Sequence, residues 1–163
     1  MIMKAVGLSL MLMSGFAMAQ LPSNDPAVVC GYLAVEKLPT GNWTVDENKQ
    51  GRCASEGRTF GNESAGALNQ LSYEARGYED NAWILQVILD VNPQQALSTS
   101  NQAFLQASQR LSTTALGKRL PSTISSAITG GRNAGAVVGN TTLTVKRQEH
   151  ESGSGYQMRF SME

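Results

Sequence analysis

Residues Ala82 to Val91 read AWILQVILDV, bounded by Asp80-Asn81 before and Asn92-Pro93 after. A run this rich in β-branched and large apolar side chains, closed off by turn-forming residues, predicts a strand. Just upstream, Leu71, Tyr73 and Ala75 alternate with Ser72, Glu74 and Arg76. That period of two suits a half-buried partner strand. Ala65, Leu68, Leu71 and Ala75 also stand at three-to-four spacing, so residues 65–75 fit a helix as well. The favoured reading is a hairpin turning between Gly77 and Asn81.

Downstream, Asn92-Pro93 with Gln95 three positions after Asn92 resembles a capping box that opens a helix. Phe104, Leu111 and Ala115, flanked by Leu105 and Ala107, give one apolar stripe at helical spacing. Gly117 suits the C-terminal cap, with Lys118 and Arg119 near the negative end of the dipole. A second, shorter helix is expected from Pro121, its apolar side formed by Leu120, Ile124 and Ile128, and Gly130-Gly131 ends it. Residues 132–139 read as a Gly/Ala loop.

The chain closes on a second hairpin pattern. Leu143 and Val145 alternate with Thr142, Thr144 and Lys146, and Tyr156, Met158, Phe160 and Met162 alternate with Gln157, Arg159, Ser161 and Glu163. Two-stranded hairpins do not hold together alone in water, so both apolar faces need the helices as cover. The expected fold is therefore α+β: a single small domain of antiparallel β-hairpins packed against two or three helices, in the order α-ββ-αα-ββ.

The leading α is the segment after Asp25-Pro26, a capping side chain followed by a proline suited to a first helical turn. Residues 26–37 favour a helix by that signal, although Gly31 and the β-branched residues also allow a strand. From 40 to 61, Gly41, Gly51, Gly57 and Gly61 among polar residues read as irregular loop. Cys30 and Cys53 are the only cysteines. In an exported chain such a pair is expected to form a disulfide, here tying the N-terminal segment to the loop.

Export is predicted by the first nineteen residues. Lys4 supplies positive charge, Ala5 to Met13 form a short apolar run, and Ala17-Met18-Ala19 offers small residues at a cleavage site. The run is too short for a bilayer span, so residues 1–19 read as a signal peptide cut near Ala19/Gln20. Residues 20–163 then form one periplasmic or secreted domain. Without Lys4 the remainder carries twelve basic and thirteen acidic side chains. This balance argues against a nucleic-acid partner and against a basic membrane-binding patch.

Candidate chemistry is sparse. His150 is the only histidine and stands between Glu149 and Glu151 in an expected turn. No serine sits in a Gly-x-Ser-x-Gly elbow, and the Gly130-Gly131-Arg132 stretch lacks the Lys-Ser/Thr ending of a phosphate loop. The acidic pairs Asp46/Glu47, Glu79/Asp80 and Glu149/Glu151 fall in polar loop-like segments, where a carboxylate stays solvated. No catalytic residue, metal ligand or cofactor is assigned. Trp43, an aromatic in a polar glycine-rich segment, is a candidate interface anchor. The other is the loop Ser152-Gly153-Ser154-Gly155-Tyr156, which delivers a tyrosine to a strand.

That five-residue stretch resembles the Ser-Gly-x-x-Tyr loop of the periplasmic lysozyme-inhibitor proteins. The resemblance implies that Ser152, Gly153 and Tyr156 belong to a loop that inserts into the lysozyme cleft. It also implies a compact all-β barrel, which the expected helices contradict.

The expected function is a non-enzymatic periplasmic protein acting through protein–protein interaction, of the inhibitor or immunity type or an accessory to an envelope or secretion assembly. A small-ligand carrier and a periplasmic hydrolase of unfamiliar design are the alternatives.

Overall fold

A computed structural model describes residues 20–163; the predicted signal peptide lies outside the described residues. From the N-terminal side the elements are α1 (Pro26–Val29), a 3-10 turn (Ala34–Glu36), β1 (Thr44–Val45), β2 (Gln50–Ala54) and β3 (Arg58–Phe60). A second 3-10 turn (Glu63–Ala65) leads to β4 (Asn69–Tyr78) and β5 (Asn81–Val91). Then come α2 (Ser98–Leu116), α3 (Ser122–Gly130), β6 (Ala134–Val138), β7 (Thr141–Glu149) and β8 (Tyr156–Met162). The strands make one antiparallel sheet in the order β1-β2-β4-β5-β8-β7-β6, with β3 pairing β4 beyond the end of β2.

The alternation read in the sequence sorts the two faces. Leu71, Tyr73 and Ala75 of β4, Leu85, Val87 and Leu89 of β5, and Met158, Phe160 and Met162 of β8 are all buried. Against them lie Phe104, Ala107 and Leu111 of α2 and Ile124, Ala127 and Ile128 of α3. Removing each large side chain of this set from water contributes about 1.5–3 kcal/mol. The helices stop where Gly117 and Gly131 take left-handed φ values of 66° and 62°, a conformation that costs glycine little.

The α+β class, the two hairpins, the helix pair and the Cys30–Cys53 disulfide are present. The N-terminal segment resolves into one helical turn at α1 followed by the 3-10 turn. Buried Glu36 fastens that turn to α2 by accepting from Arg110 Nε and Gln106 Nε2, each at 3.1 Å. Residues 65–75 settle as turn and strand, not helix.

Three stretches differ from expectation. Residues 40–61 are not irregular throughout: β1, β2 and β3 lie there, and Gly51 and Cys53 face the core while Gln50 and Arg52 face out. The inward positions carry a glycine and a cysteine, so the period of two hardly shows as hydrophobicity. Residues 134–138 form β6 by the same logic, with small Ala134 and Ala136 turned toward the core. The first long helix begins at Ser98, not beside Asn92. Asn92 Nδ2 donates to Leu68 O at 2.7 Å and its backbone N–H donates to Asn69 Oδ1 at 2.7 Å. Gln95 meanwhile bonds both backbone groups of Asn62. Both side chains that resembled a capping box are committed to the 62–69 segment.

Candidate interaction surface

The helices and the N-terminal segment cover one face of the sheet, and no helix among the described residues covers the other. Polar alternation on β2, β4, β5 and β8 builds that second face. Buried Glu74 is its centre, held by Arg52 Nη2 at 2.8 Å and approached by Arg76 Nε at 3.6 Å. Beside it Gln86 Nε2 donates to Ser161 Oγ at 2.8 Å, while Gln86 Oε1 is buried with no hydrogen-bond partner among the described residues.

A β-bulge shapes one end. Arg76 pairs with Ile84 and Gly77 pairs with Ala82, which leaves Trp83 as an extra residue. A bulge of this kind puts two successive side chains on one face. Ala82 is buried on the core side, so Trp83 and Ile84 both turn to the uncovered face, and Trp83 is 55% exposed. Its ring stacks on Tyr78, centroids 5.9 Å apart and planes 15° from parallel. Lys49 Nζ lies 5.8 Å from the Tyr78 centroid and reaches the Glu79 carboxylate at 2.6 Å. A groove of about 630 Å³ runs beside this stack between Val45, Asp46, Arg52, Arg76, Trp83 and Ile84.

Trp43 lies on the other side of the same end. Its ring covers Gly51, where a Cβ would collide with it, and its Nε1 donates to Glu79 O at 2.8 Å. It is half-buried against the core. The Ser152–Gly155 loop joins β7 to β8 and is held by Gly153 N–H donating to His150 O at 2.9 Å and His150 N–H donating to Gly155 O at 3.1 Å. Gly155 has φ of 84°, and a Cβ there would strike Val91 O, so the final glycine is required by the turn. Tyr156 is half-buried under Arg147, whose guanidinium carbon stands 3.6 Å from the ring centroid.

Trp43 and the Ser152–Tyr156 loop therefore sit at opposite ends of β5. At about 3.3 Å per residue those ends are roughly 30 Å apart, too far for one small contact patch. At the loop end, Asp90 Oδ1 accepts from Gln157 Nε2 at 3.3 Å and faces His150 Nε2 at 3.2 Å. His150 Nδ1 faces the Ser154 carbonyl at 3.1 Å, and Ser152 Oγ points to the same carbonyl at 3.4 Å. The hydroxyl in this cluster is thus aimed at a backbone acceptor and not at the imidazole. Among the described residues no three His, Cys, Asp or Glu side chains gather as metal ligands do, and no helix is long and apolar enough to cross a membrane.

Sequence reasoning missed Tyr78, Trp83, Arg52 and Arg76. Trp83 has the same parity as Leu85, Val87 and Leu89, so the pattern alone places it in the core. Only the bulge reverses it.

Fold and surface together define an α+β domain with a single antiparallel sheet, shielded on one side and displaying tryptophan, tyrosine and arginine on the other. No protein-family model matches the chain, and no curated protein or solved structure matches it either.

Proposed function

We propose that this protein is an exported, non-enzymatic binding protein of the periplasm that docks a protein partner on the uncovered face of its sheet, around Trp83 and Tyr78. The observation that carries this reading is the exposed stack of Trp83 on Tyr78, next to two arginines that flank one carboxylate. Tryptophan, tyrosine and arginine are the residue types that most often dominate binding energy at interfaces. Holding Trp83 in a bulge of a central strand presents it with little conformational freedom left to lose on binding.

Arg52, Arg76, Arg159 and Lys146 on this face are matched in number by Asp46, Glu74, Asp90 and Glu163, so its charge is mixed. A partner surface that is partly apolar and carries charges of both signs complements it. Export is supported by the residue 1–19 pattern, and the disulfide accords with an oxidising compartment.

The test is affinity capture from a periplasmic extract with the tagged protein, read by mass spectrometry and repeated with Trp83→Ala, Arg76→Glu and Ser152→Arg. The expected result is one stoichiometric protein lost with the first two variants and kept with the third. Loss with Ser152→Arg alone moves the contact to the Ser152–Gly155 loop. No stoichiometric partner under any growth condition defeats the reading.

A further inference from the structure

We infer that β6 is the seam of a two-fold dimer: Ala134–Val138 pairs antiparallel with the same strand of a second copy and joins the two sheets into one. Among the described residues β6 ends the sheet and pairs only with β7. On the β8 side of β7, Thr142 exchanges both backbone bonds with Glu163, at 2.8 and 3.0 Å. Alternation then aims Thr141, Leu143 and Val145 at β6, where they face Val138, Ala136 and Ala134. Arg147 fits that alternation, its N–H donating to the side chain of Asn133 just before β6 at 2.7 Å. Gly135 and Val137 consequently point their N–H and C=O groups away from the sheet, and no group among the described residues bonds them.

An open edge of this kind is ordinarily blunted by a lysine, a proline, a bulge or a covering element. The strand AGAVV has no charge and no proline, and Val137 is 70% exposed. The flank beside it is as bare: from Leu120 to Val145, a span that contains all of α3 and β6, Arg132 is the only charged residue. In a two-fold interface each side chain near the axis meets its own copy, so any charge there repels itself. A surface cleared of charge suits self-association better than attachment of a partner matched to the mixed charges of the other face.

The register also complements itself. With the axis at Ala136, Gly135 of each copy pairs with Val137 of the other, and each such pair can exchange both of its N–H···O bonds. Val137 then lies opposite a residue with no side chain. Space exists there, since a Cβ built on Gly135 meets nothing nearer than Leu143 O at 3.8 Å. Ala136 faces its own copy in a non-hydrogen-bonded pair, with Cα atoms about 4.5 Å apart.

Sedimentation velocity on the purified chain over a range of concentrations tests this, together with Val137→Lys and Ala136→Cys. Cys30 and Cys53 are bridged, so the introduced thiol is the only free one. The wild type is expected to sediment as a dimer. Val137→Lys, altered at an exposed position, should keep the native circular dichroism and weaken dimerisation at least tenfold. Ala136→Cys should give a disulfide-linked dimer on mild oxidation. A wild-type chain that stays monomeric at the highest concentration overturns the inference, and so does a dimer that Val137→Lys leaves intact. A dimer that Val137→Lys dissociates but Ala136→Cys fails to cross-link overturns the Ala136-centred register.

Discussion

The Tyr73 hydroxyl donates a 2.7 Å hydrogen bond to the carbonyl oxygen of Val29, forty-four residues earlier in the chain. Both residues are fully buried, one at the middle of β4 and the other at the end of α1. A four-residue helix has too few internal bonds to persist alone. This bond and the packing of Val29, Leu33 and Leu38 hold the segment to the sheet, and the Cys30–Cys53 bridge links it covalently to β2.

Tyr73→Phe removes the donor and leaves the Val29 carbonyl buried without a partner. The expected loss is about 1–3 kcal/mol. Urea unfolding should show a lower midpoint with an unchanged slope. An unchanged midpoint would mean that the carbonyl finds another donor, and that the bond is not what holds α1.

The same burial gives a pH dependence. Burial pushes the Tyr73 hydroxyl pKa well up from its ordinary value near 10, and the neighbouring Tyr32 pushes it further in that direction. In the unfolded chain the group loses its proton near pH 10, while in the native chain it keeps it. Below that pH the contribution to stability is complete. Above it the unfolded state binds fewer protons, and stability falls by about 1.4 kcal/mol per pH unit from this group. Urea midpoints measured between pH 9 and 11.5 should decline for the wild type and decline less steeply for Tyr73→Phe. Parallel curves for the two proteins would exclude Tyr73 as the source.

The two tryptophans should give opposite phenotypes. Trp43 covers Gly51 and donates to Glu79 O, so Trp43→Ala opens a hole beside β2 and leaves that carbonyl without its donor; the expected loss is about 2–4 kcal/mol. Gly51→Ala should destabilise from the other direction, by about 1–3 kcal/mol, because its methyl group occupies the place of the ring. Trp83→Ala should change stability by less than about 1 kcal/mol, since the ring is more than half exposed and stacks on Tyr78 at the surface, and should abolish partner capture. Thermal melts of the three variants decide the matter. A large loss with Trp83→Ala would make its ring a structural cap and would deprive the proposed surface of its anchor.

What the sequence made legible follows from where hydrophobicity carries the period. AWILQVILDV, the Leu71-Tyr73-Ala75 alternation and the last hairpin all pack large side chains against helices, and all are strands in the structure. β2 and β6 escaped because their inward positions are Gly51, Cys53, Ala134 and Ala136, which fill little space and look like loop residues. Their strand character comes from pairing with β4 and β7, a tertiary effect that local composition does not record. The exposed aromatic stack was hidden for a different reason. A one-residue bulge inverts the facing of Trp83, and no period in the sequence announces it.

The disulfide offers a way to separate effects on the native state from effects on the unfolded chain. Twenty-two residues lie between Cys30 and Cys53, and closing a loop of that size stabilises by about 3 kcal/mol through the unfolded ensemble. Cys30→Ser with Cys53→Ser should lower the melting temperature accordingly. Leu33 and Leu38 are fully buried in the same segment, so it is expected to stay docked without the bridge and to keep the Tyr73–Val29 bond. The bridge then acts on the unfolded chain and the hydrogen bond on the folded one. Their effects should add within about 0.5 kcal/mol in a double-mutant cycle with Tyr73→Phe, although the two anchors are neighbours. A coupling energy above about 1 kcal/mol would show instead that the bridge positions the Val29 carbonyl, and that its contribution belongs to the native state.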